Sequence, residues 1–547
     1  MPLHMIFDKR VLTTNYKYSE KYWIELSKVI EAEIGNNEIK NTEEVDRILK
    51  IGFQYLCKSF EGLIKQNLNS SFYIFINCLH EDSLDLYHLQ LKGTSLGIDE
   101  SAFAISRRVL KIIIEQGCQH NLKGTPNFFK EITESLKEYV CITEELLYLG
   151  EWAYTFSEFI AKNKLFPSSI GLKIEDGELA INTYQPYPEL FKFIGIEIPK
   201  HDSQVATSMS INEFKDLLID KFDVKYDTLF GFTQEQIKNP QYRFGLVFID
   251  NLIQILHENF GYKKEFLEIF YQGLTLSKDN ALSVEDCIIR NQDNRRFIYR
   301  PIVKFCIDGK FYYMIPINKW AESMMSLTTN SFPFGVFPDE WKQFKDIKDF
   351  VQKLDNTHDK ILEEPITNLL DQHGIFNDTG VESFKTGTGS NVNIANTIGD
   401  LDILFLDVKN KLIYVCELKH NRSRFDFNNW RRDYSNFKDK YEAQLERKKD
   451  WSENNKAVIQ DHFKQLYGDS FAEQLQDYEV RGIFIINAPT IYMYDGKYRA
   501  FTIRDISLLL EGKYVDTQFE FTRESTGEKY FITHPYFENT YKAFNNS

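Results

Sequence analysis

Residues Gly399 to Lys419 read GDLDILFLDVKNKLIYVCELK, two apolar runs that carry acidic residues at their ends and are joined by a short polar turn. Leu401 to Val408 and Leu412 to Cys416 are apolar and β-branched enough to form central strands of a sheet buried on both faces. Lys409, Asn410 and Lys411 make the turn. With the turn centred near Asn410, antiparallel pairing sets Asp402 beside the Glu417/Leu418 pair. The two-residue period then puts Glu417 and Lys419 on one face. Three charges converge at one end of a buried hairpin.

Charges in such a place lose their hydration, and unpaired burial costs several kcal/mol. A divalent cation would compensate. Two facing carboxylates suit Mg²⁺ or Mn²⁺, which take hard oxygen ligands and retain waters. An adjacent ammonium could hold or deprotonate a water and offset charge developing on a phosphorane-like transition state. That chemistry is phosphodiester hydrolysis. The plain alternative is an edge hairpin whose Asp, Glu and Lys are surface charges. A Glu-x-Lys triplet alone would deserve that reading.

An upstream segment favours the cation site. In KILEEPITNLLDQHGI, residues 360 to 375, Glu363, Ile366, Leu370 and Gly374 share one helical face, so Glu363 points with the core-facing stripe. Gly374 ends the helix as a C′ residue, and Pro365 requires the helix to begin close to it. Glu364 lies about a hundred degrees round the helix and is solvated. Helix, hairpin and Glu-x-Lys in this order, over residues 355 to 512, resemble the PD-(D/E)xK, or restriction-endonuclease-like, superfamily. The resemblance makes Asp402 the motif's Asp, Glu417 its second acidic ligand, Lys419 its lysine and Glu363 its first-helix Glu. Metal ligation by Glu363, Asp402 and Glu417 follows from it. Asp400 sits where many relatives carry a Glu two residues before the Asp, and no proline precedes Asp402.

Downstream, KYEAQLERKKDW, residues 440 to 451, reads as a helix with Tyr441, Gln444, Leu445 and Lys448 on one face. Some relatives place a Gln and a Lys or Tyr on the corresponding helix, which makes Gln444, Tyr441 and Lys448 second-tier site candidates alongside Asp400. An exposed helix with i,i+4 charge pairs is the competing reading. VRGIFIIN, residues 480 to 487, reads as a buried strand, and FTIRDISLLLEGK from 501 as a short strand and a closing helix.

Between Lys419 and Lys449 ten basic residues face five acidic ones, a reversal in a chain of net charge −15. Arg422, Arg424, Arg431 and Arg432 are the candidates for phosphate backbone contacts. Phe425, Phe427 and Trp430 interleave with them, to stack on bases or, in the larger share, to anchor the loop to the core. FKTGTGSNVNIANT, residues 384 to 397, is glycine-rich but lacks a Walker spacing, so a hairpin or loop is expected there.

At 547 residues the chain exceeds one hydrophobic core. Aromatic residues at 15% provide ample core material, and an acidic balance argues against nonspecific coating of nucleic acid. No apolar window spans a membrane and MPLHMIFDKRV lacks a signal-peptide pattern, so a cytoplasmic protein with no membrane partner is expected. The seven cysteines are odd in number and widely spaced, which predicts reduced thiols and no structural zinc. Cys416 should point to the sheet face opposite Glu417.

Residues 1 to 280 predict a mostly helical domain, with helices over Glu20 to Glu33, Glu43 to Lys65, Ser101 to Gln116, Phe128 to Leu146 and Phe244 to Glu258. Two β insertions are expected, at SFYIFINCL from Ser71 and at GLKIEDGELAINT with its Asp176-Gly177 turn. Ser210 and Glu213 form a capping box. Residues 281 to 340 read as a small β-containing connector, with strands around Asp308-Gly309 and a linker over Phe332 to Asp339. Residues 341 to 547 form the nuclease-like domain. The whole is α+β multidomain, a mostly helical region followed by an α/β domain with a central mixed sheet flanked by helices. The expectation is a Mg²⁺-dependent nuclease, Mn²⁺ substituting, most of all a DNA endonuclease of a prokaryotic defence system, the last by association with the superfamily. Rival expectations are a catalytically silent nuclease-fold scaffold, or an effector switched on by a ligand or partner protein at the N-terminal region, with homo-oligomerisation open.

Overall fold

The computed structural model describes residues 3–532 except 36, 125–127, 186, 201–207, 239–242, 388–390, 423, 425, 516–518, 523–526 and 528. It is a mixed α+β chain that separates into two compact units, Met1–Asn182 with Thr207–Asp355, and Thr183–Ala206 with Asn356–Ser547.

The first unit is mainly helical. Helices Ser19–Ile34, Thr42–Gln66, Glu100–Gly117 and Phe128–Leu165 extend the predicted spans by a residue or, in the last case, by five turns. The hairpin Ile170–Glu175 and Glu178–Thr183 turns at Asp176 and Gly177, both with positive φ, as a tight hairpin turn requires. Three expectations fail. SFYIFINCL is not a strand but part of helix Ser70–Leu91, capped by the Asn69 side chain, which accepts from Ser71 N at 2.9 Å. Its apolar run is buried all round, so it carries neither a two-residue nor a 3.6-residue signature. Phe244–Val247 is a strand paired with Lys310–Pro316, and the helix starts only at Ile249. Residues 332 to 339 are no linker. Phe332 and Phe337 are fully buried with rings 4.5 Å apart, and Trp341 joins the same core.

The second unit is built on a five-stranded sheet whose order follows the chain: β1 (Asn377–Val381), β2 (Leu401–Asp407), β3 (Leu412–Lys419), β4 (Glu479–Ile486) and β5 (Arg499–Thr502). The pairs β1–β2 and β2–β3 are antiparallel, β3–β4 and β4–β5 parallel. Helix α1 (Glu363–Gln372) precedes β1. Helices α2 (Phe427–Asn436), α3 (Glu442–Asn454) and α4 (Lys456–Tyr467) lie between β3 and β4, and α5 (Ile503–Leu510) follows β5.

Alternation along the strands divides two cores between the faces. Leu404, Leu406, Ile413, Val415, Phe484 and Ile486 pack with Leu445 of α3 and Ile459 and Phe463 of α4. Ile403, Phe405, Tyr414, Cys416, Ile483 and Phe501 pack with Ile366 and Leu370 of α1 and Ile506 and Leu509 of α5. Cys416 therefore lies opposite Glu417, as its place in the strand dictates. The β2–β3 turn is held by Asp407, whose carboxylate accepts from Asn410 N at 3.0 Å and from Asn410 Nδ2 at 2.7 Å. Residues 384 to 397 contribute the small hairpin Ser383–Lys385 and Asn391–Asn393, its tip lying outside the described residues.

Candidate active site

The register Ile403 to Cys416 continues to set Asp402 opposite Glu417 at the carboxyl end of β3. Even positions of β2 and odd positions of β3 face α3, so Asp402, Glu417 and Lys419 stand on that side of the sheet. Asp402 Oδ2 accepts from Leu418 N at 2.7 Å, which fixes its carboxylate across the strand pair. Its Oδ1 lies 3.1 Å from the Lys448 ammonium of α3. Glu417 Oε2 accepts from the same ammonium, and Glu417 Oε1 accepts from Lys419 Nζ at 2.8 Å. Lys448 is completely enclosed and Glu417 is 1% exposed. Two carboxylates thus share one ammonium and a second ammonium flanks them.

The upstream segment supplies a further acid. Asp359, in the 3-10 turn His358–Leu362, accepts from Lys419 Nζ at 3.1 Å and from His420 N at 2.6 Å. Glu363 opens α1 and is half-buried, with Lys360 and Asp400 as its charged neighbours. Ile366 and Leu370 of its helix pack on the sheet face opposite α3. Asp400 itself pairs with Lys360 at 3.8 Å. The structure therefore brings together Asp402, Glu417, Lys419 and Lys448 and leaves Glu363 and Asp400 as a neighbouring pair.

Helix α3 is entered through a single π turn, Phe437–Tyr441, the irregularity that often marks functional helices. Tyr441 lies at this turn with its ring 4.8 Å from the Lys419 ammonium, a cation–π contact. Gln444 is half-buried one turn further on. The sequence ranked Lys448 only second, because a lysine on a charged helix looks solvated. Asp359 was missed, its signal being an acid one turn ahead of the helix.

Charge coupling sets the protonation of the cluster. Burial, then the Glu417 carboxylate, raises the Asp402 pKa, and Lys448 and Lys419 pull it back only in part. Burial alone would lower Lys419 and Lys448, but the surrounding carboxylates outweigh it and hold both ammoniums above their ordinary range.

The donor set suits a hard cation in kind, since Asp402 and Glu417 each direct an oxygen at one position. That position holds the Lys448 ammonium. Among the described residues no group of three or more His, Cys, Asp or Glu side chains is arranged to hold a metal. A cation here would have two protein carboxylates, with waters or substrate oxygens completing its shell.

The basic segment after β3 is partly spent internally. Arg424 makes a double ion pair with Asp433, 2.8 and 2.9 Å. Arg422 and Arg431 are half-buried and Arg432 is exposed. Phe427 and Trp430 are buried anchors, 5% and 2% exposed, and Phe425 lies outside the described residues. Among the described residues no helix is long and apolar enough to cross a membrane. No protein-family model, curated protein or solved structure matches the chain.

Proposed function

We propose that the second unit is a metal-dependent phosphodiesterase of the restriction-endonuclease-like kind, a nuclease acting on nucleic acid and most of all on DNA, in a prokaryotic defence setting. The observation that carries the reading is the convergence of Asp402 and Glu417 on one cation-sized position, with Lys419 fixed beside it. A mixed sheet with helices on both faces and the acids at a strand end supports it.

Asp402 and Glu417 would hold Mg²⁺ or Mn²⁺. When bound, such an ion supplies Lewis-acid activation of a phosphate oxygen and of a water. Lys419 is raised in pKa and remains an ammonium, so its part is to neutralise charge developing on the phosphate rather than to abstract a proton. Asp359 and Glu417 position that ammonium from two sides. Tyr441 covers it with an aromatic face.

The Lys448 ammonium favours a second reading. A cluster that neutralises itself can persist as a binding scaffold without turnover. Incubation with plasmid, single-stranded DNA and RNA in Mg²⁺, Mn²⁺ or EDTA separates the two. Cleavage that needs a divalent ion, and that falls about 10²-fold or more in D402A, E417A and K419A while all three remain folded, is expected. Undiminished cleavage by all three purified variants would falsify the assignment.

A further inference from the structure

The first unit contains a cavity of about 10 Å³, close to the least that holds one water-sized occupant. Three elements wall it: helix Glu100–Gly117 brings Ser106 and Arg107, helix Ser70–Leu91 brings Leu79 and Ser83, and the strand Lys9–Val11 brings Arg10 and Val11. Two donors on this wall are unspent. Ser106 is 2% exposed and its Oγ has no hydrogen-bond partner. A serine inside a helix readily bonds back to the carbonyl four residues earlier, as Ser27 and Ser59 do to Trp23 O and Tyr55 O. Ser106 does not. The Arg107 Nε is likewise buried without a partner, while its guanidinium stands 3.9 Å from the Tyr87 ring centroid and 5.3 Å from that of Phe103.

Arg107 makes no ion pair with any described residue, and the acids of the neighbourhood are already engaged. Asp82 pairs with Arg10 and Arg243, both at 2.8 Å, Asp85 with Lys9 at 2.9 Å and with Arg243, and Glu322 with Lys319. Glu81 accepts from the backbone amides of Asn318 and Lys319 at 2.7 and 3.0 Å. An enclosed water would have two hydrogens to place. Arg10 and Arg107 only donate, Ser83 Oγ already donates to His80 O at 2.6 Å, and Val11, Leu79 and Phe103 make the rest of the wall apolar. An ion that only accepts fits this wall better, and its charge complements the Arg107 guanidinium. The volume admits one atom and excludes phosphate or a carboxylate.

We infer that Ser106 Oγ and Arg107 Nε form a binding site for a single halide ion, chloride foremost, in the first unit. The site lies outside the proposed nuclease centre, and its test does not depend on cleavage. Crystals of the full-length protein soaked in sodium bromide are expected to show an anomalous-scattering peak within hydrogen-bond distance of both atoms. In solution, at pH 7 in EDTA, sodium chloride or bromide replacing sodium isethionate at constant total salt is expected to raise the unfolding temperature by about 2–4 °C and to saturate. Isethionate is too large for the cavity and supplies the reference. S106A removes one hydroxyl from the wall and remains folded; it is expected to lose most of the rise and the bromide peak, and R107Q to lose both. Equal unfolding temperatures in chloride and isethionate, a rise undiminished in S106A, or a bromide crystal with water alone beside Ser106 overturns the inference.

Discussion

Lys448 shows how much a single side chain decides in the carboxylate cluster. It lies between Asp402 and Glu417 and is completely enclosed. Removing one partner from such a buried group leaves uncompensated charge, a loss of about 3–5 kcal/mol. K448M should therefore unfold at a clearly lower temperature in EDTA. It should also recover more stability from Mn²⁺ than the wild type, since no ammonium then competes for the carboxylates. Parallel melts of the two proteins across a Mn²⁺ titration decide this, and an identical Mn²⁺ gain in both would remove the case for a cation between Asp402 and Glu417. Asp402, Glu417 and Lys419 were legible in sequence because the strand period and the turn position together fix both face and register. Asp359 was not legible for a related reason. The helical stripe of Ile366 and Leu370 begins only after the 3-10 turn His358–Leu362, so no period marks Asp359.

Elements hold most of the cluster, and α3 is seated closely against β4. A Cβ added at Gly482 of β4 would sit 3.0 Å from Leu445 Cγ and 3.2 Å from Leu445 Cδ1, so α3 approaches because this residue has no side chain. Leu445 is three residues before Lys448, and pushing it outward withdraws the ammonium from both acids. G482V should cost about 1–3 kcal/mol of stability and lower divalent-dependent cleavage at temperatures where the variant is folded. The double variant G482V/L445A should regain part of both, because the shorter side chain restores the gap. Full cleavage by folded G482V would show that the seating of α3 does not matter. Strands β2, β3 and β4 are legible in the amino-acid pattern alone, as is the hairpin at Asp176. The helix Ser70–Leu91 is not, because an element enclosed on every side loses the periodicity by which elements are recognised.

At the scale of the whole chain, the two units carry separate cores, and the chain passes from the first to the second and back at Thr183–Ala206 before leaving again near residue 356. Linear reading could not find this, because composition does not change where residues 183 to 206 depart. Nor could it see that residues 281 to 340 belong to the core of the first unit. Separate cores let pH act on one unit's stability through its own buried groups. Lys111 has a folded-state pKa of about 7 against an ordinary 10.5. Between those values the unfolded chain binds a proton that the folded chain does not, so protonation favours unfolding and stability rises with pH across that window. K111M lacks this dependence. In calorimetric scans from pH 7 to pH 10, the wild-type unfolding temperature should therefore climb relative to that of K111M, the difference closing as pH approaches 10. His80 remains neutral throughout this range, its pKa lowered by burial and by the Lys319 ammonium, and so does not contribute. A wild-type minus K111M difference that stays constant over three pH units would mean that Lys111 is fully hydrated and not buried.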